Sequence, residues 1–247
     1  MRKEQAIVTS LWIFATWFVD VSDFVPYILI TSKTKEYGKS RLLEFLAHTV
    51  RVPVKTGDTT AGAVIRIMAQ GSPTLLLDET DQYIRNREGS ISILNDGNSR
   101  SGVAIRAAGN AKGGFTDDVK TYNCFGSKAI VGIRADHLQE TVTSRSIVIE
   151  LQRKPRTRGQ RIKIQQFEKE FLSIKSRIYT LGLRYADQVG ARIENGTIKF
   201  PKIFTDRQID GYEPLWAMLE CMANEKAQKV GKKACKLCLP RSDRSPE

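Results

Sequence analysis

Cysteine and histidine are scarce in this chain: 247 residues carry four cysteines and two histidines. Cys124, Cys221, Cys235 and Cys238 are too few and too scattered for a disulfide framework at this length. Cys235 and Cys238 form one lone CxxC pair. A four-ligand zinc site needs a second pair, and only His48 and His137 are on hand to help, so reduced thiols are the simpler reading. An uninterrupted apolar run is also missing. The stretch from Ala6 to Ile30 is apolar, but Asp20, Asp23 and Pro26 break it well short of the roughly 20 residues a membrane span requires. It does not end in a small-residue cleavage site either, so no membrane is expected, and a cytoplasmic location is. No internal repeat is present, which removes the solenoids and propellers. Acidic residues are in deficit, 27 against 39 Lys and Arg, for a net charge of +12. That excess calls for a polyanionic partner, with nucleic acid the first candidate.

What is present is ordinary globular material, 41% hydrophobic and 27% charged, enough for a buried core. A helix is predicted from about Gln5 to Val19, then a buried strand Tyr27 to Ile30. A polar loop follows, then a helix through Arg41 to Leu46 and a short strand between Val50 and Val54. Thr59 or Thr60 is placed to cap the next helix, which carries Val64, Ile65, Ile67 and Met68. Thr74 to Leu77 is a second buried strand. Val103 to Arg106 and Val119 to Tyr122 read as two strands around a glycine-rich tip, Gly109 to Gly114. Lys128 to Ile133 and Ser146 to Leu151 complete the strands. Strands alternating with helices imply an α/β fold with a mostly parallel sheet flanked by helices on both faces.

Beyond Leu151 the chain turns basic, then helical. Ile164, Phe167, Phe171, Ile174, Ile178, Leu181 and Tyr185 recur at spacings of three and four, an apolar helical stripe. Asn195-Gly196 is a hairpin-turn signal. A last helix is expected from Asp206 to Lys229, kinked or restarted at Pro214. The division expected is a core over residues 1–152, a helical lid with basic segments over 153–240, and a disordered tail over 241–247.

The chemistry centres on Gly38-Lys39-Ser40 between a strand and a helix, the context of a phosphate-binding P-loop. There the backbone of Lys35, Glu36, Tyr37 and Gly38 would cradle phosphates, Lys39 would reach the β- and γ-phosphates, and Ser40 would hold magnesium. The pattern departs at its first glycine, where Lys33 stands. Leu75-Leu76-Leu77-Asp78-Glu79 has the form of a Walker B strand: Asp78 positions magnesium, and Glu79 polarises the attacking water. Together they imply ATP and Mg²⁺ as ligands. Arg145, just before Ser146 to Ile149, is a candidate arginine finger; a lone arginine before a strand is usually a surface charge, and the reading depends wholly on the two motifs upstream. Lys112 and Lys120 on the glycine-tipped strands are either phosphate contacts or solvated. Arg153, Lys154, Arg156, Arg158, Arg161 and Lys163 form one basic cluster for nucleic acid, and Lys229, Lys232, Lys233 and Lys236 a second.

These stretches resemble AAA+-like P-loop ATPase domains of unknown function from prophages and mobile genetic elements, often found with primase or helicase modules. The resemblance runs from about Ile13 to Ala223. It is carried by Ile30-Thr31-Ser32 with Gly38-Lys39-Ser40, by Pro73 to Asp81, Ile93-Leu94-Asn95-Asp96-Gly97, Phe125-Gly126-Ser127-Lys128-Ala129 and Ser144-Arg145-Ser146-Ile147. The most specific stretch is Asp206-Arg207-Gln208-Ile209-Asp210-Gly211-Tyr212-Glu213-Pro214-Leu215, where the family usually has tryptophan in place of Tyr212. The resemblance implies an AAA+-type core with a C-terminal α-helical lid. It implies catalytic roles for Glu79, for Arg145 from a neighbouring subunit, and for Arg207 as a lid arginine on the γ-phosphate, unless Arg207 merely caps its own helix. No polar sensor residue is evident on the strand Ala129 to Ile133; Arg134 lies just past its end. The function implied is an ATP-hydrolysing motor on DNA, a helicase or translocase with single-stranded DNA as partner, working as a homo-oligomeric ring in mobile-element or phage replication beside a primase or another replication protein. A helicase loader and a nucleotide-dependent scaffold with little hydrolysis are the rivals.

Overall fold

The computed structural model describes residues 1–34, 37–57, 59–78, 88–109, 115–132, 140–152 and 163–239. A first helix, α1 (Lys3–Ala15), continues as a 3-10 turn, Thr16–Val21. Then come β1 (Tyr27–Ser32), α2 (Lys39–Thr49), β2 (Pro53–Thr56), α3 (Ala61–Met68), β3 (Thr74–Leu77) and α4 (Glu88–Asp96). A β-ribbon, β4 (Val103–Gly109) and β5 (Phe115–Asn123), precedes β6 (Lys128–Val131), α5 (Glu140–Thr143) and β7 (Ser146–Leu151). Among the described residues three C-terminal helices follow: α6 (Glu168–Glu194), α7 (Asp206–Met222) and α8 (Glu225–Leu237).

Five strands form one parallel sheet in the order β2-β3-β6-β1-β7. Every side chain of β1, β3 and β6 is buried, as expected of strands covered on both faces. The first strand thus lies inside the sheet, and the next two are laid down beyond β6. With Gly38 turning β1 into α2, this is the α/β fold of a P-loop NTPase, as expected for an AAA+-type core. Two apolar clusters sandwich the sheet. One gathers Ile28, Ile30, Leu76, Ala129, Ile147 and Ile149 against α1, α2 and the C-terminal helices, and the other gathers Tyr27, Leu29, Leu75, Leu77 and Ile130 against α3 and α4.

The boundary expected at 152/153 adjoins residues outside the described set. The helices beyond it supply Ile178, Val189, Trp216, Met218 and Cys235 to the first of these clusters. Cys235 and Cys238 are core thiols, and burial drives the Cys235 pKa upward.

Three local expectations change. Asn195-Gly196 makes no hairpin: Asn195 caps α6, and Gly196, at φ 58°, ends it by donating to Ile193 O. The same dipeptide serves either purpose, and the preceding helical turn decides. Pro214 does not restart the helix: α7 runs unbroken through it from Asp206 to Met222. The break falls at Asn224, whose side chain caps α8 from Ala227 N, and the last helix extends to Leu237 rather than Lys229. Proline inside a helix costs about 3 kcal/mol. Burying Leu215, Trp216, Met218 and Leu219 outweighs it, at roughly 1.5–3 kcal/mol for each large side chain. On α6 the buried line is Phe171, Ile178, Gly182, Val189 and Ile193, while Phe167 and Ile174 are exposed. Spacings of seven and four match the helical period better than the stripe read from the sequence.

Candidate nucleotide-binding site

Ser32 ends β1, and four residues separate it from Tyr37 and Gly38. Gly38 is the N-cap of α2 with φ 83°. A Cβ there would meet nothing within 4 Å, so glycine is needed for the left-handed backbone and not for space. Lys33, at the place of the missing first glycine, does not adopt a positive φ. A side chain is therefore tolerated at that turn, which is the physical reason the departure from the usual pattern does no harm to the local backbone. Lys35 and Glu36 lie outside the described residues.

The N-terminus of α2 leaves its first N–H groups free of intrahelical partners and pointing out of the helix, the arrangement that binds phosphate. Lys39, the first residue of α2, folds its side chain back along the loop. Its Nζ donates to Ser32 Oγ at 2.6 Å, and that hydroxyl donates to Thr34 O at 2.6 Å. Ser32 is 3% exposed. The ammonium is thus held over the carboxyl end of β1, where open α/β sheets bind ligands. Ser40 follows, exposed.

Asp78 sits at the same edge. Its N–H donates to Thr56 O at 3.0 Å, carrying the β2–β3 ladder one residue past Leu77. Only β6 lies between β3 and β1, so Asp78 stands two strand spacings from the β1 line, roughly 10 Å. A hydroxyl and an ammonium in the first turn of α2 and a carboxylate just past β3 are the groups a magnesium-bound triphosphate needs at that edge. Glu79, the next residue, lies outside the described set, as do Lys112, Arg134, Arg153, Lys154 and Arg156.

Arg145 and Arg207 occupy the other edge of the sheet. Tyr27 N–H donates to Arg145 O at 3.1 Å, placing Arg145 immediately before the amino ends of β1 and β7. Its guanidinium donates to Asn98 Oδ1 at 3.1 Å and Thr141 O at 2.7 Å. Arg207 is the second residue of α7, whose capping box pairs Thr205 with Gln208. The arginine plays no part in that cap; its Nη1 reaches Ser144 Oγ at 3.4 Å. Both arginines line two adjoining cavities of about 410 and 320 Å³, walled also by Asn95, Asp96, Asp210, Glu140 and Tyr212. This is not the side from which Arg207 would meet a phosphate held by Lys39. No family model matches the chain, and no curated protein does. Among solved structures it is similar to a DNA polymerase III gamma-subunit-related protein from Thermotoga maritima (TM-score 0.36, 10% identity, covering 92% of this chain and 77% of that one). It is also similar to the JCV helicase (TM-score 0.31, 12% identity, covering 97% of this chain and 67% of that one). At these scores the likeness assigns no activity to this chain.

Two basic features sit away from the nucleotide edge. On the β4–β5 ribbon Lys120 is exposed and lies directly across from Arg106. Like charges directly opposite repel, a cost that a bound anion removes. Arg106 carries no motif, and only the strand register reveals it. Of the second lysine cluster, Lys229, Lys233 and Lys236 are exposed on one face of α8. Lys232 is not part of that surface: it donates to Glu220 Oε1 at 2.6 Å and lies over the Trp216 ring.

The stretches Ile93–Gly97 and Phe125–Ala129 meet at Lys128, which is fully buried. Its Nζ donates to Gly97 O (3.0 Å), Cys124 O (3.0 Å) and Gly126 O (2.9 Å) and lies 4.9 Å from the Tyr27 ring centroid. A Cβ on Gly97 would come within 2.6 Å of that Nζ. Burial pulls the Lys128 pKa down to about 7, against the opposing effect of Cys124. The lysine is a clasp joining α4, the root of the ribbon and β6.

Proposed function

We propose that this chain is an ATP-hydrolysing motor of the AAA+ type acting on DNA, as a helicase or translocase in mobile-element or phage replication. The observation that carries the reading is the gathering of Lys39, Ser40 and Asp78 at the carboxyl edge of a parallel sheet, around a helix N-terminus opened by a left-handed Gly38. Lys39 binds the β- and γ-phosphates, Ser40 and Asp78 hold magnesium, and Glu79 orients the attacking water. The acceptor is water: Glu79 takes its proton as its oxygen attacks the γ-phosphorus, and ADP leaves with the electron pair of the broken bond.

Arg145 cannot serve the nucleotide of its own chain, because β1 separates it from Lys39. It acts on a neighbouring copy, and a head-to-tail contact of that kind repeats into a ring or an open helical oligomer. The net charge of +12, the Arg106–Lys120 pair and the lysine face of α8 support a nucleic-acid partner.

The test is the steady-state ATPase rate with and without single-stranded DNA. A motor hydrolyses ATP and is stimulated by the strand. Hydrolysis indifferent to DNA would favour a loader, and binding without turnover would favour a scaffold; either result refutes the motor reading.

A further inference from the structure

We propose that Arg207 works beside Arg145 on the nucleotide of a neighbouring copy, and not on the nucleotide bound by its own Lys39. The inference rests on the nucleotide reading above and changes which molecule Arg207 serves.

Position comes first. Gly211, one turn along α7 from Arg207, packs on Pro26: a Cβ there would lie 3.7 Å from Pro26 Cβ. Pro26 immediately precedes β1, and Ser144, the hydroxyl that Arg207 reaches, immediately precedes Arg145. Lys39 is anchored at Ser32, the last residue of that strand. Five residue steps at about 3.3 Å each put the two edges roughly 16 Å apart. An arginine side chain does not span that distance, so a phosphate meeting Arg207 comes from another molecule.

Charge comes second. Arg145 is held by a side-chain amide and a carbonyl, and Arg207 by a hydroxyl, all neutral acceptors. Asp96 and Asp210 line the same cavity, yet among the described residues neither guanidinium makes an ion pair with a carboxylate. Two arginines oriented by neutral groups and open to one cleft retain their charge for an incoming anion. A cleft of about 410 Å³ between them admits a terminal phosphate.

The surroundings decide the source of that phosphate. Val103 lines the cavity and begins a row of exposed β-branched residues on the outer face of the ribbon: Val103 (45% exposed), Ile105 (59%) and Val119 (62%). An apolar strip beside open arginines has the make-up of a protein interface and not of a DNA groove. The occupant is a second copy of this chain, docking the edge that carries Lys39 and its bound nucleotide against this face.

Complementation between variants tests it. Arg207→Ala alone should lower ATP turnover at least about tenfold, a threshold well below the roughly 10³–10⁵ that an arginine finger supplies. At a dilution where the chain is monomeric, the same variant should bind a fluorescent ATP analogue within about twofold of wild type, since its own site is untouched. Circular dichroism should match wild type, because Arg207 is exposed and makes one long hydrogen bond. Mixed with Glu79→Gln, Arg207→Ala should regain activity, because some interfaces then pair an intact Glu79 with an intact Arg207. If an Arg145→Ala and Glu79→Gln mixture recovers but the Arg207→Ala mixture stays inactive, the proposal is overturned and the oligomeric reading stands. If neither recovers although the subunits co-assemble, both fall. Weaker analogue binding by the dilute Arg207→Ala monomer would also overturn it. So would an unchanged turnover accompanied by lost affinity for inorganic phosphate or single-stranded DNA, which would make another phosphate the ligand.

Discussion

Replacing Lys128 with methionine probes the clasp without leaving a cavity, since the two side chains are of similar length. Three carbonyls lose a donor. Gly97 O keeps one, because Gly126 N–H also donates to it at 3.1 Å, so the exposed cost falls on Cys124 O and Gly126 O. A buried carbonyl left unpaired costs about 1–3 kcal/mol. Removing a desolvated ammonium returns part of that, so we expect a net loss of about 2–4 kcal/mol at pH 7. The sign of the pH dependence follows from the lowered pKa. In the folded chain Lys128 releases its proton near pH 7, while in the unfolded chain it holds it to about 10.4. Between those values the unfolded state binds the extra proton, so wild-type stability rises with pH by up to about 1.4 kcal/mol per unit, and below pH 7 the gain is gone. Lys128→Met lacks this titration, so its deficit should widen from pH 7 to pH 10. Urea unfolding of both proteins at several pH values measures it. A variant as stable as wild type, or a deficit that does not change over that range, would refute the clasp as described.

Lys39→Ala should abolish magnesium-dependent binding of a fluorescent ATP analogue while the chain stays folded; unchanged affinity would remove the P-loop assignment. Glu79→Gln should bind the analogue normally and lose turnover, as the amide cannot take the proton from water, and normal turnover would transfer that role elsewhere. Glu220 joins α6 to α8 through Arg192 (2.5 Å) and Lys232 (2.6 Å). Burial opposes its ionisation, but the hydrogen bonds from Lys232 and Arg192 prevail and hold its pKa below the usual carboxylate range. That stability is present above pH 4.3 or so and is lost as the pH falls through the lowered value, so Glu220→Gln should cost about 1–2 kcal/mol at pH 7 and progressively less in acid, read by thermal melts. Affinity for single-stranded DNA should fall linearly with salt on a log–log plot, with a slope reduced by about one unit in Lys120→Ala; a flat response would leave the exposed lysines as merely solvated.

The parallel core was legible in the sequence because its signals are local. Runs such as Tyr27 to Ile30 and Thr74 to Leu77 are apolar at every position, which only a strand covered on both faces tolerates at that length, and Thr60 caps α3 as its residue type allows. Gly38-Lys39-Ser40 and Asp78 likewise stand out as motifs in the residues themselves, and the order of elements brings them to one edge. Where two local signals are degenerate, the surroundings chose. Asn195-Gly196 serves a helix end as well as a hairpin, and Pro214 yields to the aromatic and aliphatic side chains that its helix buries. The rest depends on contacts between residues far apart in sequence, which no spacing encodes. Arg207 stands beside Ser144 and Arg145, across the sheet from Lys39, because α7 packs against the amino end of β1. Arg106 becomes part of a cation pair only through the register of the ribbon, and Lys128 becomes a buried clasp only when α4 and the root of β5 close over it. Element type follows from short-range periodicity and backbone preference, whereas which charged groups share an environment is set by packing, and packing belongs to the folded chain alone.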